Sequence, residues 1–130
     1  MSVLRFGSGG PWEALIGYSR VVVRGDSAWV SGCTSTVDGE VTHPGDVAAQ
    51  ARQAFDNLAT ALERAGFALT DVVRTRMYLT DMSRWEELGR AHGDVFGDVR
   101  PATAMIGVSA LLHPAMLVEV EADAVREGVA

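Results

Sequence analysis

The sequence predicts an α+β fold, a β-sheet with two helices packed on one face, and three observations predict it. Two segments repeat apolar residues by threes and fours, as amphipathic helices do. Several others alternate apolar and polar residues, as half-buried strands do. The two kinds interleave in the order β-β-β-α-β-α-β-β, with no internal repeat, low-complexity segment or linker, so residues 1–130 are expected to form a single domain.

Each element has its own signals. The first 17 residues hold Gly7, Gly9, Gly10, Pro11 and Gly17, which break any period, and a short strand followed by a loop is expected there. Arg20 to Arg24 and Ala28 to Gly32 are β-rich runs flanking Gly25-Asp26-Ser27, residues that suit a tight hairpin turn. Val37 to Gly45 is turn-rich, and Asp46 stands where a helix N-cap belongs. The helix that follows buries Val47, Ala51, Ala54, Phe55, Leu58, Leu62 and Ala65, and Gly66 is placed to end it with a left-handed cap. Val72 to Thr80 alternates, with Val73, Thr75, Met77 and Leu79 expected inward. Ser83 and Glu86 match a capping box, opening a second helix that buries Trp85, Leu88, His92, Val95 and Phe96 and ends at Gly97. The next strand is expected to turn Ala104, Ile106, Val108 and Ala110 to the core, with Thr103, Met105, Gly107 and Ser109 opposite. Leu111 to Ala115 connects it to a last strand, Leu117 to Ala124. There Val118, Val120, Ala122 and Ala124 oppose Glu119, Glu121 and Asp123.

Composition narrows the function. With 48% hydrophobic and 22% charged residues the chain is a globular protein rather than a disordered one. Seventeen acidic residues against 11 basic ones leave a net charge of −6, short of the Lys and Arg that neutralise phosphates, which argues against a nucleic-acid partner. No apolar run approaches the length of a membrane span. Cys33 is the single cysteine, and the N-terminus lacks the apolar run of a signal peptide, so a reduced, cytoplasmic setting is expected.

Two helices cover one face of such a sheet. The other is expected to carry Arg74, Arg76, Tyr78, Thr103, Met105, Ser109, Glu119, Glu121 and Asp123. Such a face is either open to water with ordinary cross-strand ion pairs, or the surface through which subunits assemble around small-ligand clefts. The other candidates read as structure. Cys33 without a partner motif is a small hydrophobe, and His92 falls on a helix stripe. His43 and His113 lie in loops, and Glu119, Glu121 and Asp123 suit arginine pairing better than a metal. Gly7-Ser-Gly-Gly10 lacks the Lys-Ser/Thr of a phosphate loop. Trp29 and Trp85 are assigned to packing, and Trp12 is left open.

Five segments in order carry a resemblance: Ile16-Gly-Tyr-Ser19, Val30-Ser-Gly32, the run Ala48 to Leu58, Arg100-Pro-Ala102 and Val118-Glu-Val-Glu-Ala122. Together, over residues 16–125, they resemble the RidA/YjgF (Rid) family. The resemblance implies a chorismate-mutase-like fold with a mixed sheet, and a homotrimer whose sheets form a central barrel with ligand clefts between subunits. It also implies hydrolysis of enamines and imines, such as 2-aminoacrylate, to a 2-keto acid and ammonia without metal or cofactor. Glu119 matches the cleft carboxylate that handles water, Tyr18 the aromatic that closes the site, and Ser31 a residue lining it. Deaminase members place an arginine two residues after the proline of the Pro-Ala element, where it grips the substrate carboxylate with two prongs. Here that position is Thr103. A hydroxyl cannot neutralise a carboxylate, so standard 2-aminoacrylate deamination is not expected, and Arg76 or Arg100 is the candidate replacement. A small-molecule hydrolase with an altered anchor and a noncatalytic metabolite-binding or regulatory module both fit this pattern.

Overall fold

In the computed structural model, which describes residues 2–128, the chain opens with β1 (Val3–Phe6) and α1 (Pro11–Ile16). Next come β2 (Val21–Arg24), β3 (Ser27–Cys33), β4 (Thr36–Val37), β5 (Glu40–Val41) and α2 (Val47–Arg64). It ends with β6 (Val72–Leu79), α3 (Trp85–Phe96), β7 (Ala102–Gly107) and β8 (Val118–Val125). Six strands form one sheet in the order β1-β2-β3-β8-β6-β7, and β4 and β5 form a small separate hairpin. Among the described residues only β6 and β7 pair in parallel, because α3 carries the chain back between them, so the sheet is mixed, as expected.

Both long helices lie on one face. Asp46 caps α2 by accepting from the Ala49 N–H at 3.0 Å, and Gly66 ends it at φ 85. Small residues, Ala51, Ala54 and Ala61 on α2 and Ala28, Ala122 and Ala124 on the strands, let helix and sheet approach closely. Phe55, Leu58, Leu62, Leu88 and Phe96 fill the remaining space, and each such side chain taken fully from water contributes roughly 1.5–3 kcal/mol.

The fully buried Gln50 ties this core to the loop before β8. Its amide donates to the carbonyls of Ala115 at 2.8 Å and His43 at 3.2 Å and accepts from the Leu117 N–H at 2.9 Å.

Several expectations are corrected. The segment expected to be a loop after β1 contains α1, with Pro11 at its first turn and Gly17 at φ 90 closing it. A β-bulge in β6 turns Val73 outward and brings Val72 into the core. Ser83 does not open the second helix. Asp81 accepts from the Ser83 N–H at 3.0 Å and starts a 3₁₀ turn, while Glu86 pairs with Arg90, so Trp85 is 54% exposed rather than buried.

The largest correction is the inverted facing of β7. Thr103 and Met105 pair with the inward Thr75 and Met77 and face the helices, whereas Ala102, Ala104 and Ile106 join Arg74, Arg76 and Tyr78 on the open face. The cause is polar satisfaction. Buried Thr75 donates to the Thr103 hydroxyl at 2.7 Å and meets His92 Nε2 at 2.8 Å. The strand also stops at Gly107, leaving Val108 and Ala110 outside it.

The open face otherwise carries the expected charges. Arg76 lies 3.6 Å from both Glu121 and Asp123, and the Tyr78 hydroxyl donates to Glu121 at 2.7 Å.

Candidate functional site

A second bulge builds the site. Val30 pairs with Ala122 and Cys33 with Val120, so β3 carries one extra residue at Ser31-Gly32 opposite β8. The chain kinks there, and the Glu119 side chain lies directly over Gly32. A Cβ at position 32 would stand 2.6 Å from Glu119 Oε1, closer than real contacts allow, so only glycine admits the carboxylate. Glu119 faces a cleft of about 860 Å³ that opens where β3 ends and β8 begins. Burial holds its pKa above the ordinary 4.5, the Glu121 carboxylate pushes it further up, and Arg20 pulls it partly back. Among the described residues no side chain or backbone donor hydrogen-bonds this carboxylate, which leaves it available to a ligand or a water.

Arg20 forms the adjoining wall. Its Nη1 donates to the carbonyls of Gly32 at 2.5 Å and Ser31 at 3.2 Å and approaches Cys33 Sγ at 3.7 Å. Its Nη2 donates to the Tyr18 hydroxyl at 3.3 Å, and the guanidinium carbon sits 5.5 Å from the Tyr18 ring centroid. The bulge exposes the carbonyls that hold the arginine, so one local distortion positions both a carboxylate and a guanidinium.

The remaining walls are tied in place separately. Asn57 of α2 donates to the carbonyls of Thr34 at 2.9 Å and Thr36 at 2.9 Å, docking the β4–β5 hairpin, whose Asp38-Gly39 turn has positive φ at both residues. The Glu13 carboxylate accepts from the Ser8 and Gly10 N–H groups at 3.0 and 3.1 Å and from the Ser8 hydroxyl, setting the loop that brings Trp12 to the cleft. Gln50 fixes the segment bearing Met116, a further lining residue.

Of the residues singled out from sequence, Glu119 and Tyr18 meet in this cleft. Ser31 adjoins it but turns its hydroxyl away, donating to the Ser19 carbonyl at 2.6 Å. Thr103 lies on the helix side of β7, Arg76 is ion-paired on the open face, and Arg100 is exposed in the turn after α3 at φ 55; none of the three lines the cleft of a single chain. Cys33 is buried, and that burial pushes its thiol up to about 11 against the pull of Arg20, which suits a packing residue. His92 is half-buried between Phe55 and Phe96, and burial lowers its pKa. Sequence reasoning missed Arg20, Gly32 and Asn57 as site residues. The first was read as a strand residue, and nothing local announces the bulge that recruits it.

The family model described as Endoribonuclease L-PSP matches residues 11–126. The chain belongs to the RidA/YjgF family. A solved Rid structure from Mycobacterium tuberculosis, described as a member of the highly conserved YjgF/YER057c/UK114 family, superposes with a TM-score of 0.87 at 46% identity, covering 96% of this chain and all of that one. A RutC family protein of Pyrococcus horikoshii is 33% identical over 85% of this chain and 87% of its own. The 2-iminobutanoate/2-iminopropanoate deaminase of Escherichia coli is 36% identical over 68% of this chain and 69% of its own. The Rid fold expected from the five sequence segments is thus the fold observed.

Proposed function

We propose that this Rid-family chain is a small-molecule hydrolase acting on an imine, an enamine or a related carbonyl-derived metabolite. The observation that carries the reading is Glu119: a half-buried carboxylate with a raised pKa, held over Gly32 beside a cationic wall and bound to no protein donor among the described residues. The carboxylate takes a proton from water as the oxygen bonds to the C=N carbon. It returns that proton to nitrogen to give a carbinolamine, then relays the carbinolamine's hydroxyl proton to the leaving nitrogen as the C–N bond breaks, giving a carbonyl compound and ammonia. This chemistry calls for neither metal nor cofactor. The deaminase relative in Escherichia coli supports the reaction class.

The cleft is proposed to be completed by neighbouring subunits of a homotrimer. Trp29, 46% exposed on the open face, and the outward Ala102, Ala104 and Ile106 are apolar surface of the kind that another chain covers. Thr103, exposed at the sheet edge, would then reach a neighbour's cleft as a substrate-binding residue.

A noncatalytic metabolite-binding or regulatory role is the second reading. It is favoured by the Thr103 hydroxyl, which is already paired with Thr75 and supplies no cation. A ribonuclease role is not proposed, because Asp38, Glu40 and Glu119 line the cleft of a chain with net charge −6.

Freshly generated 2-iminopropanoate and 2-iminobutanoate, with neutral imines alongside, test the proposal through release of the carbonyl product. Turnover above the spontaneous rate is expected. Saturable binding of these compounds without turnover would replace the hydrolase by the binding module.

A further inference from the structure

Arg20 and Arg74 are the two half-buried arginines that lie in no ion pair among the described residues, and only Arg20 of the two lines the cleft. No carboxylate lies within 4.0 Å of Arg20 among the described residues; every arginine in an ion pair there is one of Arg76, Arg84, Arg90 and Arg126. Its protein partners are neutral: the carbonyls of Ser31 and Gly32, the Cys33 sulfur and the Tyr18 hydroxyl. Removing a guanidinium from water without a counter-anion is costly, and a chain with a net charge of −6 has carboxylates to spare for a partner. The neutral contacts occupy Nη1 and one Nη2 hydrogen. The Nε–H and one Nη2–H have no protein acceptor among the described residues, which leaves two donors for the two oxygens of a carboxylate.

We propose that Arg20 is the carboxylate anchor of the cleft, so that its preferred ligand is a small 2-imino or 2-oxo acid rather than a neutral imine. The inference rests on the reading of this cleft as the ligand site, but not on turnover there. Arg20 and Glu119 both line the cleft, so an acid gripped by Arg20 sets its neighbouring carbon beside the carboxylate that handles water. The Ser31 and Gly32 carbonyls hold the guanidinium in place before the ligand arrives, which limits the entropy lost on binding. The anchor therefore comes from the residue just before β2, within the same chain as Glu119.

Pyruvate and pyruvamide, which differ in the carboxylate alone, are suitable probes for titration calorimetry with the full chain. Wild type is expected to bind pyruvate roughly 10- to 100-fold more tightly, the range that charge-assisted hydrogen bonds give. R20Q and R20K, one without the charge and one without the fork, are each expected to lose most of that preference, and a general loosening of the fold would weaken both ligands alike. In wild type the Arg20 Nε–H resonance is expected to shift with pyruvate and not with pyruvamide, a readout that needs no folded variant. No preference in wild type, an unshifted Nε–H, or a preference that survives in folded R20Q would overturn the anchor. A preference and shift as expected, in a protein that hydrolyses no imine, would uphold the anchor and remove the hydrolase.

Discussion

Glu119 lies over Gly32 so closely that a single methyl group at position 32 would displace its carboxylate. The bulge at Ser31-Gly32, the glycine inside it and the acid from the neighbouring strand are therefore one device. Gly32→Ala is expected to cost about 1 kcal/mol of stability, because the clash is with a flexible side chain. Its effect on turnover is expected to be larger, up to roughly 100-fold, because a reacting group shifted by about 1 Å loses its alignment. Thermal melting and carbonyl release measured on the same preparation check the two magnitudes together.

The pH dependence follows from the raised pKa of Glu119. Only the ionised carboxylate accepts a proton, so the acid limb of kcat/KM is expected above the ordinary 4.5. Burial and Glu121 both push the value up, and Glu121→Gln is expected to move the limb to lower pH. For stability the sign is opposite to that of an ion-paired acid. The folded chain binds this proton more tightly than the unfolded chain, so the contribution is complete below pH 4.5 and disappears as pH rises through the folded value. Urea unfolding of wild type and E119Q across that window is expected to show the smaller loss in the glutamine variant.

Gln50 is fully buried and uses both ends of its amide on backbone groups. Gln50→Leu keeps the volume but leaves the Leu117 N–H and the Ala115 carbonyl unpaired, at a cost of about 2–3 kcal/mol. Because Met116 lies between those partners and lines the cleft, ligand affinity is expected to fall as well. Chemical denaturation and calorimetry of the variant measure the two effects.

Cys33 touches Arg20 but is expected to be inert. With its thiol pushed up to about 11 by burial, native protein is expected to resist iodoacetamide at neutral pH and to react only after unfolding. Mass spectrometry before and after denaturant distinguishes this from a reactive nucleophile, which would label at once.

Where periodicity and caps agreed, the sequence was legible. Asp46, the apolar stripe of α2 and Gly66 defined that helix, and Val118 to Ala124 predicted both faces of β8. β7 was misread because Ala104 and Ile106 look more like core than Thr103 and Met105. The decisive fact is the buried hydroxyl of Thr75 one strand away, which pairs with Thr103 and which local alternation does not contain. The site was half legible for a similar reason. Glu119 and Tyr18 stood out by resemblance, whereas Arg20 became a cleft residue only through carbonyls that a bulge 11 and 12 residues downstream turns toward it.

Turnover of freshly generated 2-iminobutanoate by E119Q, set against wild type in the same assay, tests most directly whether the Glu119 carboxylate handles water. The glutamine fills the same space over Gly32 but cannot take a proton, and a fall of roughly 100-fold or more is expected. E119Q working at the wild-type rate would contradict the account.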